Sequence, residues 1–355
     1  MIDAVVLTHR EALAFEYAAA RAGVVADGGF VATVAQRYLD SKKPNPDIER
    51  LAEVSDDDAP SDVPKRCSYG DIWQLGDHRL LCGDSGDADM VARLMEGAKA
   101  DLVFTSPPYA QQREYGQKID DWFALMRGVF EAIPSHTKTQ VLVNLGLVHR
   151  DGEWQPYWDG WINWMRAKGW RRFGWYVWDK VSPPPGDWDG RLAPCHEWIF
   201  HFNKKRRVFK SRACKDPNKK VSPPGLKGGD GKTVNYGGGE FVTSSMRVDD
   251  SLVRVSPRST GTGNHPAVFP VGLPSSIFAS FSQENDACYE PFSGSGTSII
   301  AAEQMHRRCY AVDIEPTYCD IALARWEKLT GKKAVRAASG ATTISDDVLP
   351  KSARK

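Results

Sequence analysis

The chain has 355 residues, a formal net charge of +1 and seven scattered cysteines, which is enough for one large domain or two ordinary ones. A balance this near neutral excludes a uniformly basic nucleic-acid binder, the cysteines form no C-x-x-C pair for a zinc site or disulfide framework, and no apolar run is long enough to span a bilayer. The N-terminal apolar run is short and follows Asp3, unlike a secretory leader, so the expectation is a cytoplasmic protein with no membrane partner.

Residues 1–66 are predicted to be a helical N-terminal segment with an acidic linker. "REALAFEYAAARAG" reads as one short helix stopped by Gly23, and "FVATVAQRYLDSKK" as a second. The acidic, proline-bearing stretch 54–66 is linker chemistry. Alternating units follow over 67–150. They are a strand at "HRLLCGDS", a helix at "DADMVARLMEGA" with Asp87 near its start, and a strand at "ADLVFTSPPY". Next come a helix at "IDDWFALMRGVFEAI", with Trp122, Leu125, Met126 and Val129 on one face, and a strand at "TQVLVNLG". Such alternation predicts a parallel sheet in an α/β domain.

From 151 to 260 the pattern turns irregular. "WYVWDK" and "HEWIFHFNK" are strand-like, and the tryptophans between 154 and 198 are expected to be mostly core, with one or two left to stack on a ligand. Residues 204–220 carry nine Lys/Arg against one Asp. The α/β pattern returns over 261–331. It predicts a helix near 273–282, a strand at "ACYEPF", a loop "SGSGT", a helix, a strand "CYAVDIE", and a helix ending at Gly331. Residues 332–355 are predicted to be a flexible tail.

Two motifs carry chemistry. In "YEPFSGSGTSIIAAEQ" Gly294 and Gly296 fall between a strand and a helix, where glycines permit a tight turn and close approach of a ligand to backbone. The next strand delivers Asp313 nineteen positions after Gly294. An acid there suits a ribose diol, so the pair favours a nucleoside-containing ligand. No G-K-[ST] follows, which disfavours a P-loop. The second motif is Thr105-Ser106-Pro107-Pro108-Tyr109. Two prolines end a strand, because each lacks an N–H and has a fixed φ. A stiff corner presenting main-chain carbonyls and the Ser106 hydroxyl suits a planar exocyclic amine, and Tyr109 offers a stacking face.

Taken together, "FTSPPY", "NHPAVFP", "YEPFSGSGTS" and "AVDIEPTYCDIALAR" resemble the DNA amino-methyltransferases, which methylate cytosine N4 or adenine N6 from S-adenosylmethionine. "YGDIWQLGDHRLLCGDS" is similar to their leading segment. The catalytic motif precedes the cofactor motif, as in the permuted beta class. The resemblance implies a Rossmann-like α/β methyltransferase fold with permuted strand order and an inserted target-recognition region. It implies that Phe292, Ser293, Gly294, Ser295, Gly296 and Thr297 cradle S-adenosylmethionine, with Thr105 beside them. Asp313 would bind its ribose, Ile314 would pack on its adenine, Asp84 would lie near the adenine, and His265 and Pro266 would line the amino-acid end. Ser106, Pro107, Pro108 and Tyr109 would hold a flipped base. Adenine enzymes commonly carry Asp or Asn where this chain has Ser106, which leans the target to cytosine N4 and keeps adenine N6 open.

In that context the basic run, with Lys204, Lys205, Arg206, Arg207, Lys210 and Arg212, reads as a grip on the phosphates of double-stranded DNA. Site-specific methylation of the restriction-modification kind is the expected activity. A homodimer and a cognate restriction endonuclease, or none for an orphan enzyme, are left open by the residues. RNA or protein methylation and an inactive DNA-binding module are the rival readings. Pro194-Cys195 lacks the motif of a cytosine C5 nucleophile and reads as a buried structural cysteine. His196 and His201 read as strand-face histidines, and no metal is expected.

Overall fold

The computed structural model describes Pro60 and residues 63–109, 121–183, 188, 190–207, 209, 248–256 and 269–337, together with the backbone of six two-residue strands between 212 and 247. The predicted N-terminal helices, Lys210, His265, Pro266, the Arg212 side chain and residues 338–355 lie outside the described residues.

Ten strands form one sheet: β1 (Ile72–Leu75), β2 (His78–Cys82), β3 (Ala100–Thr105), β4 (Ser135–Leu145), β5 (Arg171–Asp179), β6 (His196–Asn203), β7 (Leu252–Arg254), β8 (Ala287–Glu290), β9 (Arg308–Asp313) and β10 (Val335–Arg336). Their spatial order is β7-β5-β6-β4-β3-β8-β9-β2-β1-β10. The centre, from β4 through β3, β8 and β9 to β2, is parallel. β6 runs antiparallel between β4 and β5, and β1 pairs antiparallel with both β2 and β10.

Among the described residues six helices cover the sheet: α1 (Ala88–Met95), α2 (Trp122–Glu131), α3 (Asp159–Ala167), α4 (Gly272–Phe281), α5 (Thr297–Gln304) and α6 (Pro316–Thr330). Local chemistry sets their starts. Asp87 caps α1 by accepting from the N–H groups of Asp89 and Met90, and Asp121 caps α2 by accepting from that of Ala124. Pro316 opens α6 in the first turn, where its missing N–H costs nothing.

Strand alternation divides the core in two. Leu80, Leu102, Phe104 and Leu142 face Ile277, Ile299 and Trp326 of α4, α5 and α6. Leu81, Val103, Val141 and Val143 face Met90, Trp122, Met126 and Trp161 of α1, α2 and α3. A sheet buried on both faces explains the near-continuous apolar runs of its central strands.

One expectation is extended and two change. The aromatic segments 171–179 and 196–203, expected to be strand-like, are strands of the main sheet. Trp178, Phe200 and Phe202 of these strands are buried, and Phe202 packs on the fully buried Trp161 of α3, whereas Phe173 and Trp175 stay exposed. Val335 and Arg336, read as tail, extend the sheet, and Arg336 pairs with the buried Asp71. On α2 the buried face includes Phe130, while Leu125 is only half-buried.

Candidate active site

The connections through α2 and α5 leave the sheet centre in opposite directions. From β3 the chain passes through α2 to β4 on one side, and from β8 it passes through α5 to β9 on the other. The crevice outside the carboxyl ends of β3 and β8 is therefore a topological switch point, where open α/β sheets bind ligands. Both predicted motifs open onto it. Thr105 ends β3 and the Ser106–Tyr109 corner follows; Glu290 ends β8 and the glycine loop follows. Asp313 ends β9 and Asp84 follows β2 at the same edge.

The glycine loop is tied to its neighbours. The Gly294 N–H donates to Asp313 Oδ2 at 2.7 Å, and the Glu315 N–H donates to Oδ1 at 2.9 Å. The Ser293 N–H reaches the Val312 carbonyl, and the Gly83 N–H reaches the Asp313 carbonyl. Burial raises the Asp313 carboxyl to about 6 despite these two donors. Gly296, at φ +82°, has the Ala322 Cβ 2.6 Å from where its own would stand, so a side chain there collides with α6. Gly294, at φ +52°, meets nothing within 4 Å, and that side of the loop is open. The buried Ser293 Oγ has no hydrogen-bond partner among the described residues. Ile314, next to the acid, is 40% exposed. Asp84 Oδ1 accepts from the Gly86 N–H, which shapes the turn after β2.

Two residues of this half were not singled out from the sequence. Glu290 is buried, accepts from Ser298 Oγ at 2.9 Å and from the Phe292 N–H at 3.2 Å, and is pushed by burial to about 8. Arg325 of α6 is fully buried and donates through Nη1 to the Ser295 carbonyl, Ser295 Oγ and Thr297 Oγ1 at 3.0–3.1 Å. It clamps the loop from behind. An acid closing the apolar run "ACYE" is a signal for Glu290; the Arg325 position carries none.

The Ser106–Tyr109 corner sits against a polar cluster. Tyr109 donates its hydroxyl proton to Glu197 Oε2 at 2.6 Å, and Asn144 Nδ2 donates to the same oxygen at 2.5 Å. Lys180 Nζ pairs with Glu197 Oε1 and lies 4.9 Å from the Trp178 ring centre. Ser106 Oγ stands 3.4 Å from the Tyr109 oxygen and 3.3 Å from Asn144 Nδ2. Burial, then the adjacent Glu197 charge, push the Tyr109 phenol well above its usual value. The Pro108 carbonyl accepts from Trp122 Nε1 at 2.8 Å, so the corner does not turn every carbonyl outward. Asn144, Lys180 and Glu197 come from β4, the end of β5 and the start of β6, and nothing in their local sequence announces the cluster.

The basic run begins at the far edge of the sheet. β6 is antiparallel to β4, with Trp198 opposite Leu145 and Asn203 opposite Gln140. Lys204, Lys205, Arg206 and Arg207 therefore leave the sheet at the edge away from the crevice. Lys204 Nζ lies over the Trp170 ring, and Lys205 and Arg206 are exposed. Arg207 pairs with Asp101 at 2.8 Å and Asp286 at 2.6 Å, at the amino ends of β3 and β8. Cys195 is half-buried, not buried. His196 and His201 are strand residues, and burial lowers His201 to about 3. Among the described residues no group of three or more His, Cys, Asp or Glu gathers to hold a metal, and no helix is long and apolar enough to cross a membrane.

A family model for N6/N4 enzymes, described as DNA methylase, matches residues 100–324, more than half of the chain. The Type II methyltransferase M.SmaI of Serratia marcescens is 22% identical over 280 residues, covering 68% of this chain and 88% of its own length. The Type II methyltransferase M2.MboI of Moraxella bovis is 35% identical over 156 residues, covering 43% of this chain and 49% of its own length. Among solved structures, the cytosine-N4-specific PvuII DNA methyltransferase superposes with a TM-score of 0.52 at 19% identity, over 76% of this chain and 94% of that one. That last likeness is one of fold.

Proposed function

The chain belongs to the N6/N4 DNA methylase family, and from that premise we propose that it methylates the exocyclic amine of one base in a specific duplex site, cytosine N4 in preference to adenine N6. The observation that carries this is the meeting of the Ser106–Tyr109 corner and the Gly294–Gly296 loop at the switch point between β3 and β8. One half suits a nucleoside, and the other suits an amine.

S-adenosylmethionine is the methyl donor of the family, and the crevice residues fit it. The open side of Gly294 and the unpartnered Ser293 Oγ admit a polar ligand. Asp313 is an acid suited to its ribose hydroxyls, and exposed Ile314 is an apolar surface suited to its adenine. When bound, it supplies a methyl group activated by a sulfonium. The chain's own residues prepare the nucleophile. Ser106 Oγ and the Pro107 carbonyl accept the hydrogens of the amine, which draws its lone pair out of conjugation and toward the donor. Positioning and electrostatics are the protein's share, and no covalent enzyme intermediate is needed. The base is out of reach inside a duplex and is flipped, at a cost of about a few kcal/mol.

The preference for cytosine is supported by Ser106, a position where the resemblance gives Asp or Asn more commonly in adenine enzymes. Recognition of the surrounding sequence is assigned to the region 151–260, whose stretch after Arg207 carries the other five positive charges of the run. The test is to incubate the protein with labelled S-adenosylmethionine and duplex DNA, digest to nucleosides and weigh the product. N4-methylcytosine is expected. N6-methyladenine would overturn the choice of base, and no methylated nucleoside from any duplex would overturn the function.

A further inference from the structure

We propose that Glu197 is a positioning residue that sets the direction of the hydrogen bonds in the corner, so that Ser106 faces the target amine as an acceptor. The inference rests on the reading of this site as an amine-methylating one.

The argument is a count of protons. A carboxylate accepts and does not donate. Tyr109, 2.6 Å from Glu197 Oε2, must therefore give its single proton to that oxygen. Asn144, 2.5 Å from the same oxygen, must turn its amide nitrogen to it. Lys180 holds the other oxygen, Oε1, and so fixes the carboxylate in place. With its proton committed, the Tyr109 oxygen has only lone pairs to offer Ser106, 3.4 Å away. The Ser106 proton then turns inward to Tyr109, one Ser106 lone pair accepts from Asn144 Nδ2 at 3.3 Å, and the other is left to face the crevice.

Without the carboxylate the order is free to reverse. Tyr109 is then able to donate to Ser106, which turns the serine proton outward against the hydrogens of the amine. Two donors facing each other lose the bond that localises the lone pair. A hydroxyl is ambidextrous, so a serine at this position needs a neighbour that fixes its direction.

Glu197 touches neither the base nor the methyl donor in this arrangement, and its removal should act on rate and not on binding. The experiment compares wild type, Glu197→Gln, Tyr109→Phe and the double variant in single-turnover methylation of a duplex substrate, with cofactor and DNA dissociation constants measured separately. Glu197→Gln is expected to slow the methylation step about tenfold or more, with both dissociation constants within about twofold of wild type. The double variant is expected to be no slower than the slower single variant, because both break one chain of hydrogen bonds. A wild-type rate for Glu197→Gln, a loss confined to binding, or losses that multiply in the double variant would each overturn the proposal. Should Glu197→Gln not fold, Tyr109→Phe decides: its ring keeps the packing, and a rate within about twofold of wild type overturns the proposal. A wild-type protein that methylates no duplex overturns the underlying reading and this inference with it. An active wild type with an unaffected Glu197→Gln overturns this inference alone.

Discussion

The ring of Tyr109 lies directly against Gly146: a Cβ on that glycine would meet the tyrosine Cε2 at 2.8 Å. Gly146 follows the last residue of β4, and its carbonyl accepts from the Tyr157 hydroxyl at 2.9 Å. The backbone there is held, so the ring must yield to any added methyl. Gly146→Ala should tilt Tyr109, stretch its bond to Glu197 and slow methylation by about tenfold, since small misplacements at a reacting centre are amplified in rate. Cofactor affinity, which depends on the other side of the crevice, should stay within about twofold. Single-turnover rates beside equilibrium binding of S-adenosylmethionine check this.

The Ser106 and Asp313 sides should separate in the same way. Ser106→Ala removes an acceptor for the amine and should lower turnover with little change in cofactor affinity. Asp313→Ala removes the acid proposed for the ribose and the acceptor for the Gly294 N–H, and should weaken cofactor binding by about tenfold or more while leaving saturated turnover less affected. Equal losses in both quantities for both variants would contradict the division of roles.

How much of this was legible in the sequence follows from how each feature is encoded. The corner at Ser106–Tyr109 is contiguous, and Asp313 stands at a fixed spacing from Gly294, so both are visible in one dimension. Glu197, Lys180 and Asn144 meet only through the antiparallel register of β6 between β4 and β5, and register is not written locally. The two aromatic strands are legible as strands, but their places beside β4 in the main sheet are not, because a strand's pairing partner is not written locally. Arg207 looked like part of a phosphate grip because a charge run does not reveal that Asp101 and Asp286 await one of its members.

That last placement is testable. Arg207 is well shielded, and its guanidinium joins two strands through their first acids. Asp101 Oδ2 also accepts from the Ala287 N–H, and His136 adds a further contact to Asp101. Arg207→Ala leaves two partly buried carboxylates without their shared cation and should destabilise the fold by about 1–3 kcal/mol. DNA affinity and its salt dependence should not move beyond what that instability explains, since the residue contacts no phosphate in this assignment. Urea unfolding and binding measured at two salt concentrations distinguish the two roles.

The two loop glycines should fail differently. Gly296→Ala drives a methyl into the Ala322 Cβ at 2.6 Å and forces a left-handed conformation, so it should destabilise by about 1–3 kcal/mol and loosen α5 from α6. Gly294→Ala meets open space, and its stability loss should be limited to about 1 kcal/mol from the positive φ. Its methyl projects where a ligand approaches, so cofactor affinity should fall more than stability. Thermal unfolding with and without S-adenosylmethionine separates these: ligand stabilisation should be lost in Gly294→Ala.

Glu290 gives the stability curve a sign that the surface does not. Burial lifts its carboxyl from 4.5 to about 8, so the folded state holds a proton that the unfolded chain releases. The stabilisation tied to that proton is full below the unfolded value and is lost as pH rises through about 8. Asp313, raised to about 6, acts in the same direction over a lower window. The free protein should therefore lose Tm between about pH 4 and about pH 8, with both acids contributing to the fall below about 6 and Glu290 alone above it. Glu290→Gln keeps the shape of the side chain without a proton to lose. It should flatten the upper part of the curve and place the variant above wild type at pH 9. Differential scanning calorimetry across that range checks the claim, and parallel curves for the two proteins would show that Glu290 does not titrate there.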